Sequence, residues 1–282
     1  MKSEKKIAAL LTCHNRREKT LQSLGLLFEA ALPKNYKLNV FLVDDGSTDG
    51  TSKAVKKSFP EVNIIRGDGN LYWNGGMNLA WKTAEKEYSY DFFLWLNDDT
   101  YILHNALEIL LKESELKNNQ SIICGKTKSQ ITGKVTYGGL NLDNRGFILD
   151  NNVIEKCDYF NGNIVLIPRS VFEELGFLET GFVHCLGDYD YGLRARKKNI
   201  SSWVTAESVA FCENNDLPKW CNPKTPILTR MKFFYTPLGA EPFEYFIYSK
   251  RHFGFSVAVR NFVTQHLRML FPNYWVKKII HT

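Results

Sequence analysis

Acidic residues recur where apolar runs stop. The stretch "DFFLWLNDDT" (Asp91 to Thr100) passes from five large apolar residues, Phe92 to Leu96, straight into Asn97, Asp98 and Asp99. "VDDGSTDGT" (Val43 to Thr51) repeats the pattern, and "GDYDYGLRARKKN" (Gly187 to Asn199) sets Asp188 and Asp190 ahead of Arg194, Arg196, Lys197 and Lys198. At ~4 Å two carboxylates repel by about 1 kcal/mol in water and about 4 kcal/mol at an effective dielectric of 20. The Asp98–Asp99 pair is therefore cheap in open solvent, but at the end of a buried strand it requires a positive partner. "DDGSTDGT" is a poor calcium loop, because counting from Asp45 places Lys56 where such a loop carries its final Glu. Its Ser47, Thr48 and Asp49 read as turn and helix-cap residues. Asp188 also suits a helix start, where acids are favoured by the helix dipole.

The elements that must position these acids alternate along the first half of the chain. Strands are expected at Lys6–Thr12, Leu38–Asp45, Val62–Gly67 and Asp91–Leu96. Helices are expected at Arg17–Ala30, Gly50–Ser58, Gly76–Glu87 and Asn105–Leu116, the first with Leu21, Leu24, Leu27 and Phe28 at helical spacing. Such alternation predicts an α/β fold with a mostly parallel, doubly wound sheet. Ligands bind such sheets beyond the carboxyl ends of the strands, which is where the acids lie. "GDGNLYWNGGMN" (Gly67 to Asn78) reads as a glycine- and asparagine-rich turn before a helix whose start can face an anion. Past Gln120, hairpin-like pieces ("GKVTYGG", "GFILDNN") predict a β-rich insertion, and "FNGNIVLIPR" (Phe160 to Arg169) reads as a buried strand under an Asn-Gly turn. "GDYDYGLRARKKN" reads as a helix stopped at Asn199, a residue that tolerates left-handed backbone. The Pro-punctuated "NDLPKWCNPKTPIL" divides a domain over 1–215 from an extension over 216–282.

Composition excludes several classes. The 44% hydrophobic and 23% charged content is that of an ordinary globular protein, and no apolar run nears the ~20 residues of a membrane span. "MKSEKKIAALLTCHN" fits a first strand better than a signal peptide, and the six cysteines form no CxxC pair or zinc spacing. Reduced thiols and a cytoplasmic location follow as expectations. The net charge of +6 lies entirely after Thr229, where eight Lys/Arg meet only Glu241 and Glu244. That asymmetry points to an acidic partner or an anionic membrane surface, and we expect no nucleic acid. In the tail, Val259, Phe262, Val263, His266 and Leu270 share a helical face flanked by Arg260 and Arg268. The face suits packing on the domain, a homodimer contact, or the inner surface of the cell membrane.

Taken in order and spacing, "LTCHNR", "VDDGSTDGT", "LNDDT" and "GDYDYGLRARKKN" resemble an inverting family 2 glycosyltransferase of the GT-A fold. "GNLYWNGGMN" and "FNGNIVLIPR" narrow the resemblance to rhamnosyltransferase-like and galactofuranosyltransferase-like bacterial members, over roughly residues 6 to 210. The resemblance implies a nucleotide-sugar donor and a glycan or lipid-linked glycan acceptor. Thr12 and His14 would line the nucleobase, and Asp45 would accept its imide N–H, found in uracil and thymine; Asp44 would be structural. Asn70, Asn74 and Asn78 would offer amides to the ribose or sugar, Gly75 would let the backbone approach the ligand, Trp73 would stack on the donor or lie in the core, and the Phe160 to Arg169 segment would join the acceptor wall. Asp98 would meet the ribose or the metal shell, and Asp99 would ligate Mg²⁺ or Mn²⁺ on the diphosphate. Asp188 would be the general base, with Asp190 the second candidate. Some relatives carry a metal-binding histidine about two dozen residues after the base, where this chain has Cys212, so the third protein ligand is left open, with His184 nearby.

These implications favour an inverting transferase, with dTDP-rhamnose as the first expected donor and a UDP-hexose or UDP-galactofuranose as the alternative. A catalytically idle, glycosyltransferase-like binding subunit is disfavoured by the intact Asp45, Asp98, Asp99 and Asp188. A nucleotidyltransferase is disfavoured because no glycine-rich loop bearing Arg or Lys follows the first strand.

Overall fold

The structure, a computed structural model, describes residues 4–143 and 152–275. The hairpin expected at "GFILDNN" and the charges of Lys277 and Lys278 therefore lie outside the described residues, apart from Asn152. The chain divides into two compact units, one of residues 1–180 and 187–214, the other of 181–186 and 215–282.

The first unit opens as strand-helix alternation: β1 (Lys5–Cys13), α1 (Arg17–Glu29), β2 (Tyr36–Asp44), α2 (Thr51–Ser58), β3 (Asn63–Arg66), α3 (Tyr72–Glu87) and β4 (Phe92–Leu96). It continues with β5 (Tyr101–Ile102), α4 (Ala106–Leu116), β6 (Ile122–Lys128), β7 (Val135–Tyr137), β8 (Gly139–Leu140), β9 (Glu155–Cys157) and β10 (Tyr159–Phe160). β11 (Ile164–Pro168), α5 (Arg169–Leu175), α6 (Gly187–Lys197) and β12 (Ser202–Phe211) complete it. The main sheet runs β3-β2-β1-β4-β11-β6-β12-β5, and β1 to β4 are mutually parallel where they pair. β11 enters antiparallel between β4 and β6, and β12 runs parallel to β6. The β-rich insertion adds β7 beside β6 and β9 beside β12 in the main sheet, and a separate β8–β10 pair.

Burial on both faces explains the unbroken apolar strands. Ile7, Ala9 and Leu11 pack with Leu24, Leu27 and Leu110 on one side, whereas Ala8 and Leu10 pack with Met77, Trp81 and Tyr191 on the other. β4 divides likewise, with Phe92, Leu94 and Leu96 on the first side and Phe93 and Trp95 on the second. Trp81 lies at the centre of the second side, its ring 5.1 Å from Phe93, 5.2 Å from Phe172 and 5.7 Å from Tyr191. Fixing β4 from both faces fixes where its last residue releases Asp98 and Asp99.

One helix boundary corrects the sequence reading. α3 begins at Tyr72 rather than Gly76, so Gly75 and Gly76 sit inside its first turns and not in a loop. The Asp45 carboxylate accepts the Tyr72 N–H at 2.9 Å, placing a negative charge at the helix start from another strand. Gly76 serves close packing: a Cβ there would lie 2.2 Å from Thr12 Oγ1 and 2.7 Å from Thr12 Cβ. Gly75 meets nothing nearer than Leu71, at 3.4 Å. As expected, α6 runs from Gly187 and the chain leaves it through Asn199 at φ 61°.

The second unit holds α7 (Ile227–Phe234), α8 (Pro242–Phe253) and α9 (Phe255–Leu270). α9 buries Ala258, Gln265 and Met269. A second stripe, Phe255, Val259, Val263, Leu267 and Leu270, is apolar yet exposed.

The α3–β1 contact generates a stability test. Gly76→Ala should destabilise the protein by about 1–3 kcal/mol through overpacking against Thr12. Gly75→Ala should change it by less than about 1 kcal/mol. Urea unfolding of the two variants checks this, and equal effects would show that the α3–β1 approach is not constrained.

Candidate active site

The parallel strands release their carboxyl ends side by side. Cys13 pairs with Asp44 in the β1–β2 register, and Asp45 N–H donates to the Cys13 carbonyl at 2.9 Å. The two adjoining loops are then stapled together. Asn15 N–H donates to Ser47 Oγ at 2.9 Å, Asn15 Oδ1 accepts from Thr48 N–H at 2.8 Å, and Arg17 N–H donates to Asp49 at 3.0 Å. Asp44 binds the Ser47 N–H at 2.9 Å and the Ser52 hydroxyl, which makes it structural as expected.

Asp45 is buried, and both its oxygens hold the Gly67–Tyr72 loop. Oδ1 accepts from Gly69 N–H at 2.8 Å and Oδ2 from Tyr72 N–H at 2.9 Å. The anion facing the start of α3 is thus the protein's own. His14 is exposed, its Nδ1 2.5 Å from the Asp45 carbonyl, and Asn15 Nδ2 lies 3.0 Å from Nε2. That pattern sets the tautomer with Nδ1 protonated. Thr12 is half-buried under Gly76, and Asn70 is exposed on the loop.

Asn74 and Asn78 are placed differently from a turn's free amides. Four residues apart on α3, they share one helix face and are buried. Asn74 Nδ2 donates to the Glu179 carbonyl at 2.8 Å, and Asn78 Nδ2 to the Leu178 carbonyl at 3.1 Å. Asn74 also explains Gly187, where a Cβ would lie 1.9 Å from its Oδ1. Both amides hold the 178–179 segment against α3, and Asn74 packs against the start of α6.

Trp73 links the remaining acids. Its indole N–H donates to Asn97 Oδ1 at 2.7 Å, and its ring meets Trp95 edge-on at 6.0 Å. A Cβ at Gly162 would lie 2.6 Å from the Trp73 ring and 3.2 Å from Asp188 Cβ. Gly162 N–H donates to Asp188 Oδ2 at 2.8 Å, and Asn97 N–H donates to the Asn163 carbonyl at 2.9 Å. Asp188 and the Asn97–Asp99 strand end are therefore joined through Trp73 and the Gly162–Asn163 turn.

The two candidate bases have different surroundings. Desolvation pushes the Asp188 pKa up to about 6, against the lowering effect of backbone N–H groups from Gly162 and Tyr189. Asp190 is fully buried and forms an ion pair with Arg194 at 2.9 Å. Arg194 spends its other donors on the Leu175 and Phe177 carbonyls at 2.7 and 2.8 Å. Asp190 thus braces α6 against the end of α5, and Asp188 is the acid adjoining the Trp73–Gly162 turn.

At the end of β4 the positive partner is Arg16, which the sequence reading left without a role. Its Nη1 lies 3.0 Å from Asp98 Oδ1 and 2.9 Å from Asp99 Oδ2, and Lys19 Nζ lies 3.9 Å from Asp99. The signal was present: Arg16 stands three residues past β1, whose end adjoins the acids. Burial, with the Asp99 charge adding and Arg16 opposing, pushes the Asp98 pKa up to about 6. Asp98 Oδ2 is buried with no hydrogen-bond partner. Among the described residues no three His, Cys, Asp or Glu side chains converge on a metal position. The carboxylate oxygens of Asp98 and Asp99, one of them unpartnered, still fit a hard divalent cation whose shell is completed by phosphate oxygens. Cys212 is buried beside Asn163, its thiol pushed up to about 11 by burial and by Asp99, so it stays neutral and is a poor ligand for such an ion. His184 belongs to the second unit.

The Asp190–Arg194 pair makes a test independent of any activity. Asp190→Ala should cost about 3–5 kcal/mol of folding stability by leaving Arg194 uncompensated. Urea denaturation measures it, and a loss below about 1 kcal/mol would show that the pair does not brace α6.

Comparison with known proteins bears on the family and the fold. The model of the glycosyl transferase family 2 matches residues 9–176, more than half of the 282-residue chain. The low-salt glycan biosynthesis hexosyltransferase Agl10 of Haloferax volcanii is 22% identical over 154 residues, 51% of this chain and 49% of Agl10. The chain therefore spans about half the length of that curated relative. The crystal structure of S. aureus TarS 1–349 in complex with UDP superposes with a TM-score of 0.55 at 15% identity, covering 89% of this chain and 72% of that one. A second S. aureus TarS structure gives a TM-score of 0.53 at 14% identity over 93% of this chain and 43% of that one. These structures share the fold, a GT-A-type mixed α/β sheet, and the chain belongs to glycosyl transferase family 2.

Proposed function

We propose that the chain transfers a sugar from a nucleotide donor to a bacterial surface glycan or lipid-linked glycan acceptor, inverting the anomeric carbon. The observation that carries this reading is the junction of Asp188 with Asn97, the residue next to the β4 carboxylates, through Trp73 and the Gly162–Asn163 turn. Asp188 takes the acceptor hydroxyl's proton. Asp99, with Asp98 beside it, holds Mg²⁺ or Mn²⁺, and Asp98 also reaches the ribose. Such a cation, when bound, stabilises the negative charge that gathers on the leaving nucleoside diphosphate. Thr12, His14 and Asp45 mark the nucleobase end. Each Asp45 oxygen accepts one backbone N–H and keeps a lone pair for an imide. Asn70, Gly75 and Trp73 border the sugar, while Asn74 and Asn78 keep its wall in place.

A uracil or thymine nucleotide fits that imide contact, with dTDP-rhamnose the first donor to test and UDP-hexose or UDP-galactofuranose the alternative. The relatives support a sugar nucleotide of this kind, since one is described as a hexosyltransferase and the other holds UDP. The pH dependence follows from the sign of the Asp188 shift. Its base form is lost below about pH 6, so turnover should fall about tenfold per unit below that point and be level above it. Asp188→Asn should keep donor binding and lose at least about 10²-fold in turnover, read as release of nucleoside diphosphate. Full activity in Asp188→Asn would assign the base elsewhere.

The second unit supports a place for this reaction at the inner face of the cell membrane. Its described helices are too short and too polar to cross a membrane. α9 nevertheless exposes an apolar stripe, and Lys250, Arg251 and Arg260 are exposed in the same unit. Each basic residue near an anionic surface contributes about 1 kcal/mol, and exposed charges are screened beyond ~8 Å at physiological salt. The protein should co-sediment with phosphatidylserine-containing vesicles at low salt and leave them at high salt. Indifference to such vesicles, with loss of a dimer when 216–282 is removed, would make the stripe a homodimer contact instead.

A further inference from the structure

Arg16 has a task that the proposed chemistry does not use. A single nitrogen, Nη1, bridges Asp98 Oδ1 and Asp99 Oδ2 at 3.0 and 2.9 Å. The guanidinium thereby engages one oxygen of each carboxylate and puts its positive charge where a divalent cation would sit. The backbone on either side is pinned: Asn15 by Ser47 and Thr48, Arg17 by Asp49. The side chain is held only at its tip and is 45% exposed, while Asp98 and Asp99 are 7% and 19% exposed. Beside it opens a depression of 380 Å³ lined by Asn15, Arg16, Arg17, Glu18, Lys19 and Asp49. Asp98 Oδ2 adds an independent sign of a missing ligand, being buried without a partner.

We infer that Arg16 is a removable counter-ion that competes with the divalent cation for Asp98 and Asp99 and yields when a diphosphate arrives to take its guanidinium. The inference rests on the reading of Asp99 as the cation's ligand. Without nucleotide, two adjacent carboxylates at the end of a buried strand are neutralised by a side chain rather than by metal. With nucleotide, phosphate oxygens offer the guanidinium a bidentate partner and the metal its remaining ligands. Arg16 thus couples the two binding events, so that the cation is taken up together with the donor. Lys19, 3.9 Å from Asp99, stays close enough to temper the pair while the exchange occurs.

The test is Mn²⁺ binding by the full chain, followed by the paramagnetic resonance of free Mn²⁺ with and without UDP. The wild type should bind Mn²⁺ about tenfold or more tightly when UDP is present. Arg16→Met and Arg16→Ala should bind Mn²⁺ about tenfold more tightly than the wild type without UDP, and the enhancement by UDP should shrink by about the same factor, leaving what phosphate ligation itself supplies. A merely structural Arg16 would give the opposite sign, since its removal would loosen the site. Arg16 variants that bind Mn²⁺ no better than the wild type, while the wild type takes up Mn²⁺ with UDP, would overturn the counter-ion and leave Asp99 as ligand. A wild type that takes up no Mn²⁺ even with saturating UDP would overturn both.

Discussion

Two carboxylates at the end of a buried strand must be neutralised, and the first unit is arranged around that requirement. Asp98 and Asp99 leave β4 where desolvation already disfavours charge on Asp98. Their repulsion, on the order of 4 kcal/mol for carboxylates ~4 Å apart at an effective dielectric of 20, is met by one guanidinium from the loop after β1. That loop reaches the acids because β1 and β4 are parallel neighbours in the sheet. It holds its shape because Asn15 and Arg17 are bonded to the loop after β2. A charge constraint at one strand end thus recruits two further loops.

The same economy appears at the other acids. Three carboxylates near the sheet's end first organise backbone, Asp44 its own turn, Asp45 the start of α3 and Asp188 the Gly162 turn, whereas Asp190 holds the Arg194 side chain. What distinguishes the reactive candidates is what they retain after that work. Asp188 retains a raised pKa next to a glycine turn, and Asp98 retains an oxygen without a partner. Rigid packing makes these residues precise in position, since Trp73, Trp95, Trp81 and Tyr191 form one continuous ring cluster behind them. A site that must distinguish a transition state from a substrate benefits from such fixed dipoles and charges.

Much of this was legible in the sequence. Unbroken apolar runs such as Phe92–Leu96 announced strands buried on both faces, and the acids after them marked the carboxyl edge of the sheet. Asn199 announced the end of α6 by its tolerance of left-handed backbone. Local signals failed where tertiary contacts decide. The glycines of "WNGGMN" read as a turn, yet the distant Asp45 starts the helix at Tyr72 and Gly76 is needed against Thr12. The amides of Asn74 and Asn78 looked available because their carbonyl partners lie about a hundred residues away, at Glu179 and Leu178. Arg16 drew no role for a similar reason: its carboxylate partners, Asp98 and Asp99, lie more than eighty residues away, and only the β1–β4 pairing brings them together. β11's antiparallel entry into the sheet also could not be read from a single apolar strand.

What neutralises Asp98 and Asp99 once the nucleotide is in place, cation or Arg16, can be seen directly. Crystals grown with Mn²⁺ and UDP, measured at a wavelength where manganese scatters anomalously, test this most directly. One anomalous peak is expected within bonding distance of the Asp99 carboxylate and the diphosphate, with the Arg16 guanidinium moved off the acids and onto a phosphate oxygen. A UDP complex without that peak, in which Arg16 still bridges Asp98 and Asp99, would contradict the exchange.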